Sequence, residues 1–197
     1  MNVRERIIEA TTQVAADEGP AYLTLEHIAE VAGVSKGGLL YHFATKDDLF
    51  RAVIEEEIDK FERAVDRLVA AGMPFLEAYV EVSCMVHREL ARVAPAFVAV
   101  AALNRDLLTP LTSRCEEWTQ RLESHGVTRE AARAAGIFSD GLLFGSALGL
   151  TKLNDDELAV VKRRMLWILR PWYEEELART VQYALAHAED RELAVVE

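Results

Sequence analysis

The sequence predicts an all-α protein. Ala, Leu, Glu and Arg dominate its 197 residues, while glycines number only 10 and prolines 5. Apolar residues recur at helical spacing in the stretches between those breakers. The chain divides into a head of three short helices, residues 1–46, and a larger helical body, residues 47–197, with enough interior between them for a real hydrophobic core.

In the first helix Ile7, Ala10 and Val14 follow the 3.6-residue period from Val3 until Gly19-Pro20 stops it. Thr24 is placed to cap a short second helix carrying Leu25, Ile28, Ala29 and Ala32. That helix ends at Gly33, a residue free to take the positive φ of a tight interhelical turn. Ser35 caps a third helix, in which Leu39 and Phe43, four apart, point to the core and leave Lys36, Gly37, Leu40 and Tyr41 facing out. Thr45 caps again. A long helix then runs from Lys46 through Phe50, Ile54, Phe61, Val65 and Leu68 to a break at Ala71-Gly72 and Pro74. Further helices are expected at about 74–93, 95–103, 107–125, 128–152 and 155–170, separated by Pro95, Pro110, Gly126 and Asn154. Pro171 is expected to end or kink the last of these, and Trp172 to His187 to form one more.

Two short helices joined through Gly33, the second opening at Ser35, make a helix-turn-helix whose second helix suits the major groove of DNA. Helix N-termini at Thr24 and Ser35 offer free backbone N–H groups and partial positive charge to phosphate oxygens. Gly37 and Gly38 each cost a helix about 1 kcal/mol relative to Ala, so they imply a close backbone approach, either to a groove wall or to a neighbouring helix. Tyr41 and His42 offer an O–H and an imidazole for phosphate contact, and Leu40 offers an apolar surface to a thymine methyl.

Taken in order, Thr24-Leu25-Glu26-His27-Ile28-Ala29, then Ala32-Gly33-Val34-Ser35-Lys36-Gly37-Gly38-Leu39-Leu40-Tyr41-His42-Phe43, then Thr45-Lys46-Asp47-Asp48-Leu49, resembles the head of TetR-family regulators. The resemblance runs without a gap from residue 5 to about residue 55 and weakens beyond it. It implies a ligand-responsive transcription factor, a repressor by default, in which Thr24, Ser35, Lys36, Gly37, Tyr41, His42 and Lys46 contact DNA, mostly at phosphates. Leu40 departs from the pattern, because relatives often carry an aromatic residue there. The implied partners are double-stranded operator DNA, a small-molecule effector and a second copy of the chain, with no cofactor.

In the body, Gly141, Gly145 and Gly149 recur every four positions beside Phe138, Leu142 and Leu148, a ridge that permits close approach by another helix. That helix belongs either to a symmetry mate or to the same chain. Leu158, Val161, Met165, Ile168 and Leu169 form a stripe that completes a two-fold four-helix bundle with its mate. A dimer of this kind reads two half-sites about 34 Å apart, so its operator is near-palindromic. Tyr79, Met85, Phe97, Trp118 and Leu122 lie on middle helices that in this family surround an effector cavity, although aromatics and Met at helical spacing equally describe plain core. His87, Arg88 and Asn104 are candidate polar anchors. An effector that prefers one spacing of the heads shifts the equilibrium, with the helix from Lys46 as lever.

The remaining observations exclude or limit other classes. A net charge of −11 argues against a generally basic nucleic-acid coat, and in the head Arg4, Arg6, Lys36 and Lys46 are outnumbered by Glu5, Glu9, Asp17, Glu18, Glu26, Glu30, Asp47 and Asp48. Any DNA contact is therefore local. Cys84 and Cys115 are too few for a disulfide scaffold or a four-cysteine zinc site and are expected as reduced, partly buried thiols. With no leader-like apolar run and no run of about 18 apolar residues, a cytoplasmic location is expected. No His-Glu-x-x-His, Gly-x-Ser-x-Gly or Gly-x-Gly-x-x-Gly motif points to an enzyme. His27, His87, His125 and His187 are scattered without ligand spacing and are expected as surface groups. The acidic head keeps one rival open, a helical ligand-binding or adaptor protein that has lost DNA affinity.

Overall fold

The structure, a computed structural model, describes residues 1–102 and 104–170. Pro171 and the helix expected from Trp172 to His187 lie outside the described residues, as does the side chain of Arg88. Among the described residues the chain is helical and contains no strand, as the all-α reading predicts.

Helix α1 (Val3–Asp17) begins at a reciprocal cap, in which Asn2 Oδ1 accepts from the Glu5 amide at 2.9 Å and Glu5 accepts from the Asn2 amide at 2.9 Å. After a 3-10 turn over Pro20–Tyr22 come α2 (Leu25–Val31) and α3 (Lys36–His42). Thr45 and Asp48 cap α4 (Lys46–Ala70) in the same reciprocal way as Asn2 and Glu5. The body continues with α5 (Phe75–Ala101), a 3-10 turn at Arg105–Leu108, α6 (Thr109–Ser124), α7 (Arg129–Ala147) and α8 (155–170). The α5–α7 pair makes the most extensive helix contact, and Lys162 of α8 is tied to Glu81 of α5 at 2.7 Å.

Two apolar clusters hold these helices together. One lies under α3 and combines Ile7, Val14, Leu23, Ile28, Leu39, Phe43, Leu49, Phe50 and Val53 with Val93, Ala96 and Leu107 from the body. Residue 46 thus marks a helix start within continuous packing, since α4 and α5 contribute to the head's core. The other cluster fills the body with Val65, Phe75, Tyr79, Trp118, Leu122, Val127, Leu142, Leu158 and Leu169. Buried hydroxyls donate to carbonyls of their own helices: Thr11 to Ile7 at 2.8 Å and Ser83 to Tyr79 at 2.8 Å.

Two expected boundaries are corrected. Pro95 lies inside α5 and does not divide it. Its ring is exposed, while Val93 and Ala96 on either side are buried and hold the helix to the core. The helix expected over 128–152 ends at Ala147, because Gly149 takes φ +69° and the Leu150 and Thr151 amides turn back to the Gly145 carbonyl at 2.8 and 2.9 Å.

Candidate functional site

The recognition helix is built from its cap outward. Ser35 Oγ accepts from the Gly38 amide at 3.0 Å, which starts α3, and Leu39 and Phe43 anchor its inner face. Gly33 makes the turn before it at φ +65°, and Arg6 of α1 holds that turn by donating from Nη2 to the carbonyls of Ala32 at 3.1 Å and Gly33 at 3.3 Å. The outer face then presents Lys36, Gly37, Leu40, Tyr41 and His42 to solvent, with Tyr41 86% exposed and its ring edge-on to His42 at 5.3 Å. A Cβ on Gly37 meets nothing nearer than Ser35 Oγ at 4.0 Å. No neighbouring helix among the described residues therefore accounts for that glycine.

Thr24 and Lys46 flank this strip. Thr24 Oγ1 accepts from the His27 amide at 3.3 Å to start α2, and Lys46 Nζ lies 5.1 Å from the Phe50 ring. Lys36 is ion-paired with Glu26 of α2, and its hydrogen bond holds the Glu26 carboxyl below the usual carboxylate range. Arg4, whose guanidinium stacks 5.3 Å from the Phe43 ring, adds a cation at the same end of the head. Sequence reasoning assigned no role to Arg6, because its contacts span 26 and 27 residues and no local pattern announces them.

The second site is a cavity of about 190 Å³ among α4, α5, α6 and α7. Of the five expected ligand residues, Tyr79, Phe97 and Trp118 line it. Met85 is corrected, being 62% exposed on the far face of α5, and so is Leu122, which is buried in the body core away from the cavity. His87 lines the cavity and is buried, against its expected surface position. Its Nδ1–H donates to the Cys84 carbonyl at 2.7 Å. Asn104 serves elsewhere, donating from Nδ2 to Asp47 Oδ2 at 2.7 Å. Sequence reasoning missed Phe61, Phe144, Arg114 and Asp140, which also line the space. Both cysteines are free. Cys84 is buried, and burial pushes its thiol up to about 11, whereas Cys115 is exposed, unlike the partly buried thiol expected.

The expected dimer residues fall into two groups. Gly141, Leu148 and Ile168 are exposed, in company with Ile137, Val160 and Trp167. Leu142, Leu158 and Leu169 are corrected, because all three are buried in the chain's own core, and Phe138 and Met165 pack partly against it. Val161 is half-buried. The glycine ridge is also revised: Gly149 lies in the turn after α7, and the space beside Gly145 is filled by Thr151 of the same chain. Among the described residues no metal-holding cluster occurs, and no helix is long and apolar enough to cross a membrane.

Comparison with known proteins places both halves of this architecture. Residues 7–53 match the model of bacterial regulatory proteins of the tetR family, and residues 73–170 match that of the tetracyclin repressor-like C-terminal domain. The chain is 32% identical over 161 residues to the HTH-type transcriptional regulator BetI of Stenotrophomonas maltophilia, covering 74% of this chain and 82% of that one. A transcriptional regulator from Rhodococcus sp. Rha1 shares the fold with a TM-score of 0.70 at 24% identity, over 84% of this chain and 95% of that one. The multidrug binding protein EbrR, in its complex with ethidium, aligns with a TM-score of 0.57 at 28% identity, over 83% of this chain and 98% of that one.

Proposed function

The chain belongs to the tetR family of bacterial regulatory proteins, and on that footing we propose that it is a homodimeric repressor released from its operator when a small molecule enters the body cavity. The observation that carries this reading is a shared wall. Val53 and Val93 belong both to the core beneath the recognition helix and to the cavity lining, and Phe97 of the lining meets Phe50 of that core edge-on at 5.7 Å. Close-packed side chains transmit displacement, so a ligand that spreads this wall shifts the seat of α3. Polar ties follow the same route: Asn104 holds Asp47 beside Lys46, and Arg92 of α5 holds Asp17 of α1 at 2.7 Å.

On the DNA side, Thr24, Ser35, Lys36, Gly37, Tyr41, His42 and Lys46 contact phosphates, while Leu40 meets base edges. A second copy docks through the exposed apolar faces of α7 and α8, Ile137 and Leu148 on one and Val160, Trp167 and Ile168 on the other, to form a two-fold four-helix bundle. The two heads then read half-sites about one helical turn, or about 34 Å, apart. That EbrR, a protein of like fold, is found in complex with ethidium supports a small-molecule effector. A tenfold release needs only about 1.4 kcal/mol of differential binding.

Selection from randomised duplexes tests the reading. The expected product is a near-palindrome whose affinity falls steeply as salt rises, through release of counterions from the contacted phosphates. Failure to enrich any duplex in dilute buffer rejects it and leaves the non-DNA-binding adaptor in its place.

A further inference from the structure

The cavity's charge is more specific than its shape. Three charged side chains on its wall are Glu57, Arg114 and Asp140, and two of them are neutralised by neighbours. Glu57 pairs with Lys60 at 2.8 Å. Arg114 faces Glu62 at 3.0 Å, Glu117 at 3.2 Å and Asp59 at 3.6 Å, so its charge is more than compensated. Asp140 of α7 is solvent-exposed at the cavity wall and makes no ion pair or hydrogen bond among the described residues, and the desolvation it undergoes there raises its carboxyl above the ordinary range. Among the described residues its carboxylate has no counter-charge.

The rest of the lining suits an apolar body around such a charge. Phe61, Tyr79 and Trp118 form one aromatic group, with ring centroids 5.5 Å apart for Phe61–Tyr79, 4.9 Å for Phe61–Trp118 and 5.2 Å for Tyr79–Trp118. The rings are mutually tilted or edge-on, so together they offer both faces and edges to the space. Burial raises the Tyr79 phenol, which keeps it neutral. Trp118 already carries one cation, with the Arg121 guanidinium 5.5 Å from its ring. Asp140 lines the same cavity as Phe61, Tyr79 and Trp118, which gathers the carboxylate and the aromatic group around one space.

We propose that the cavity selects lipophilic organic cations, with Asp140 as counter-charge and Phe61, Tyr79 and Trp118 supplying cation–π and apolar contact. The assignment rests on the reading of this cavity as the effector site. Anions of the same size meet Asp140 with Arg114 already neutralised, and polar neutral molecules find few partners on walls such as Ile54, Ile58, Val86 and Leu143.

Calorimetric titration of the full chain with benzyltriethylammonium and with 4-tert-butylbenzoate, an anion of comparable size, tests it. The expected result is binding of the cation alone, weakened about tenfold or more by Asp140→Asn, a change equivalent to about 1.4 kcal/mol. Circular dichroism establishes that the variant is folded, and the comparison of the two probes on the unaltered protein stands without it. Binding of the anion as tightly as the cation, no binding of the cation, or equal cation binding by Asp140→Asn overturns the proposal. Operator release measured with the same probes separates the two readings. Release by the anion keeps the cavity as effector site and rejects its preference for cations. Asp140-dependent cation binding without any release upholds the preference and rejects the switch.

Discussion

Lys36 lies at the first turn of the recognition helix with its charge already taken by Glu26 from the preceding helix. A phosphate must displace that carboxylate before it gains the ammonium. Glu26→Gln is therefore expected to strengthen operator binding several-fold and to steepen its salt dependence by up to about one contacted phosphate. Fluorescence anisotropy at several salt concentrations measures both, and unchanged affinity at low salt removes Lys36 from the interface. Gly37 shows the complementary device. Its surface is open, so in the proposed complex a DNA backbone can approach where any side chain would stand, which offsets its low helix propensity. Both features lie in residues that a reading of the sequence had picked out. The pairing with Glu26 did not follow from their order, because it depends on how α2 and α3 cross.

Among the elements, the joint between α1 and α2 carries a titratable latch. His27 of α2 meets Glu18 at 2.9 Å and Glu30 at 3.8 Å, and the hydrogen bond to Glu18 raises its imidazole above the ordinary 6.5. A group whose folded pKa is raised stabilises the fold fully below its unfolded value and loses that contribution as pH rises through the folded one. The stability gap between the unaltered chain and His27→Gln is thus expected to be widest below about pH 6.5 and to close at higher pH, as read by thermal unfolding. A gap that is constant with pH means that the imidazole does not charge in this joint. Three helix starts in this region were legible, because Thr24, Ser35 and Thr45 cap within three residues of themselves, whereas the cap at Asn2 emerged only from the structure. Pro95 was misleading for the opposite reason: its local cost is set against contacts made by Val93 and Ala96 with helices far away in the chain.

At the scale of the whole molecule, a chain of net charge −11 has only a small surface to offer DNA, so in the proposed dimer the association of two copies is expected to govern affinity. Trp167 is 65% exposed on α8, and replacing it with Glu leaves the chain's own core intact while placing a charge in the proposed bundle. Trp167→Glu is expected to run as a folded monomer in analytical ultracentrifugation and to lose most of its operator affinity. A variant that sediments as a dimer at micromolar concentration removes this face from the interface. The sequence alone did not single out Trp167, because α8 is apolar on more than one face. Leu158 and Leu169 turn into the chain's own core while Val160, Trp167 and Ile168 turn away from it, and helical periodicity identifies stripes without saying which one meets a neighbour.

That difference runs through the whole protein. Helix identity, the capped turn at Gly33 and the outward strip from Lys36 to His42 are encoded over spans of three to seven residues, where backbone hydrogen bonding and helical period act, and they could be read directly from residue order. The buried place of His87, the gathering of a neutralised Arg114 and of Asp140 on one cavity wall, and the wall shared by Val53 and Val93 arise only when helices distant in sequence pack together. Burial and charge pairing depend on distance in space, and tertiary packing alone sets those distances.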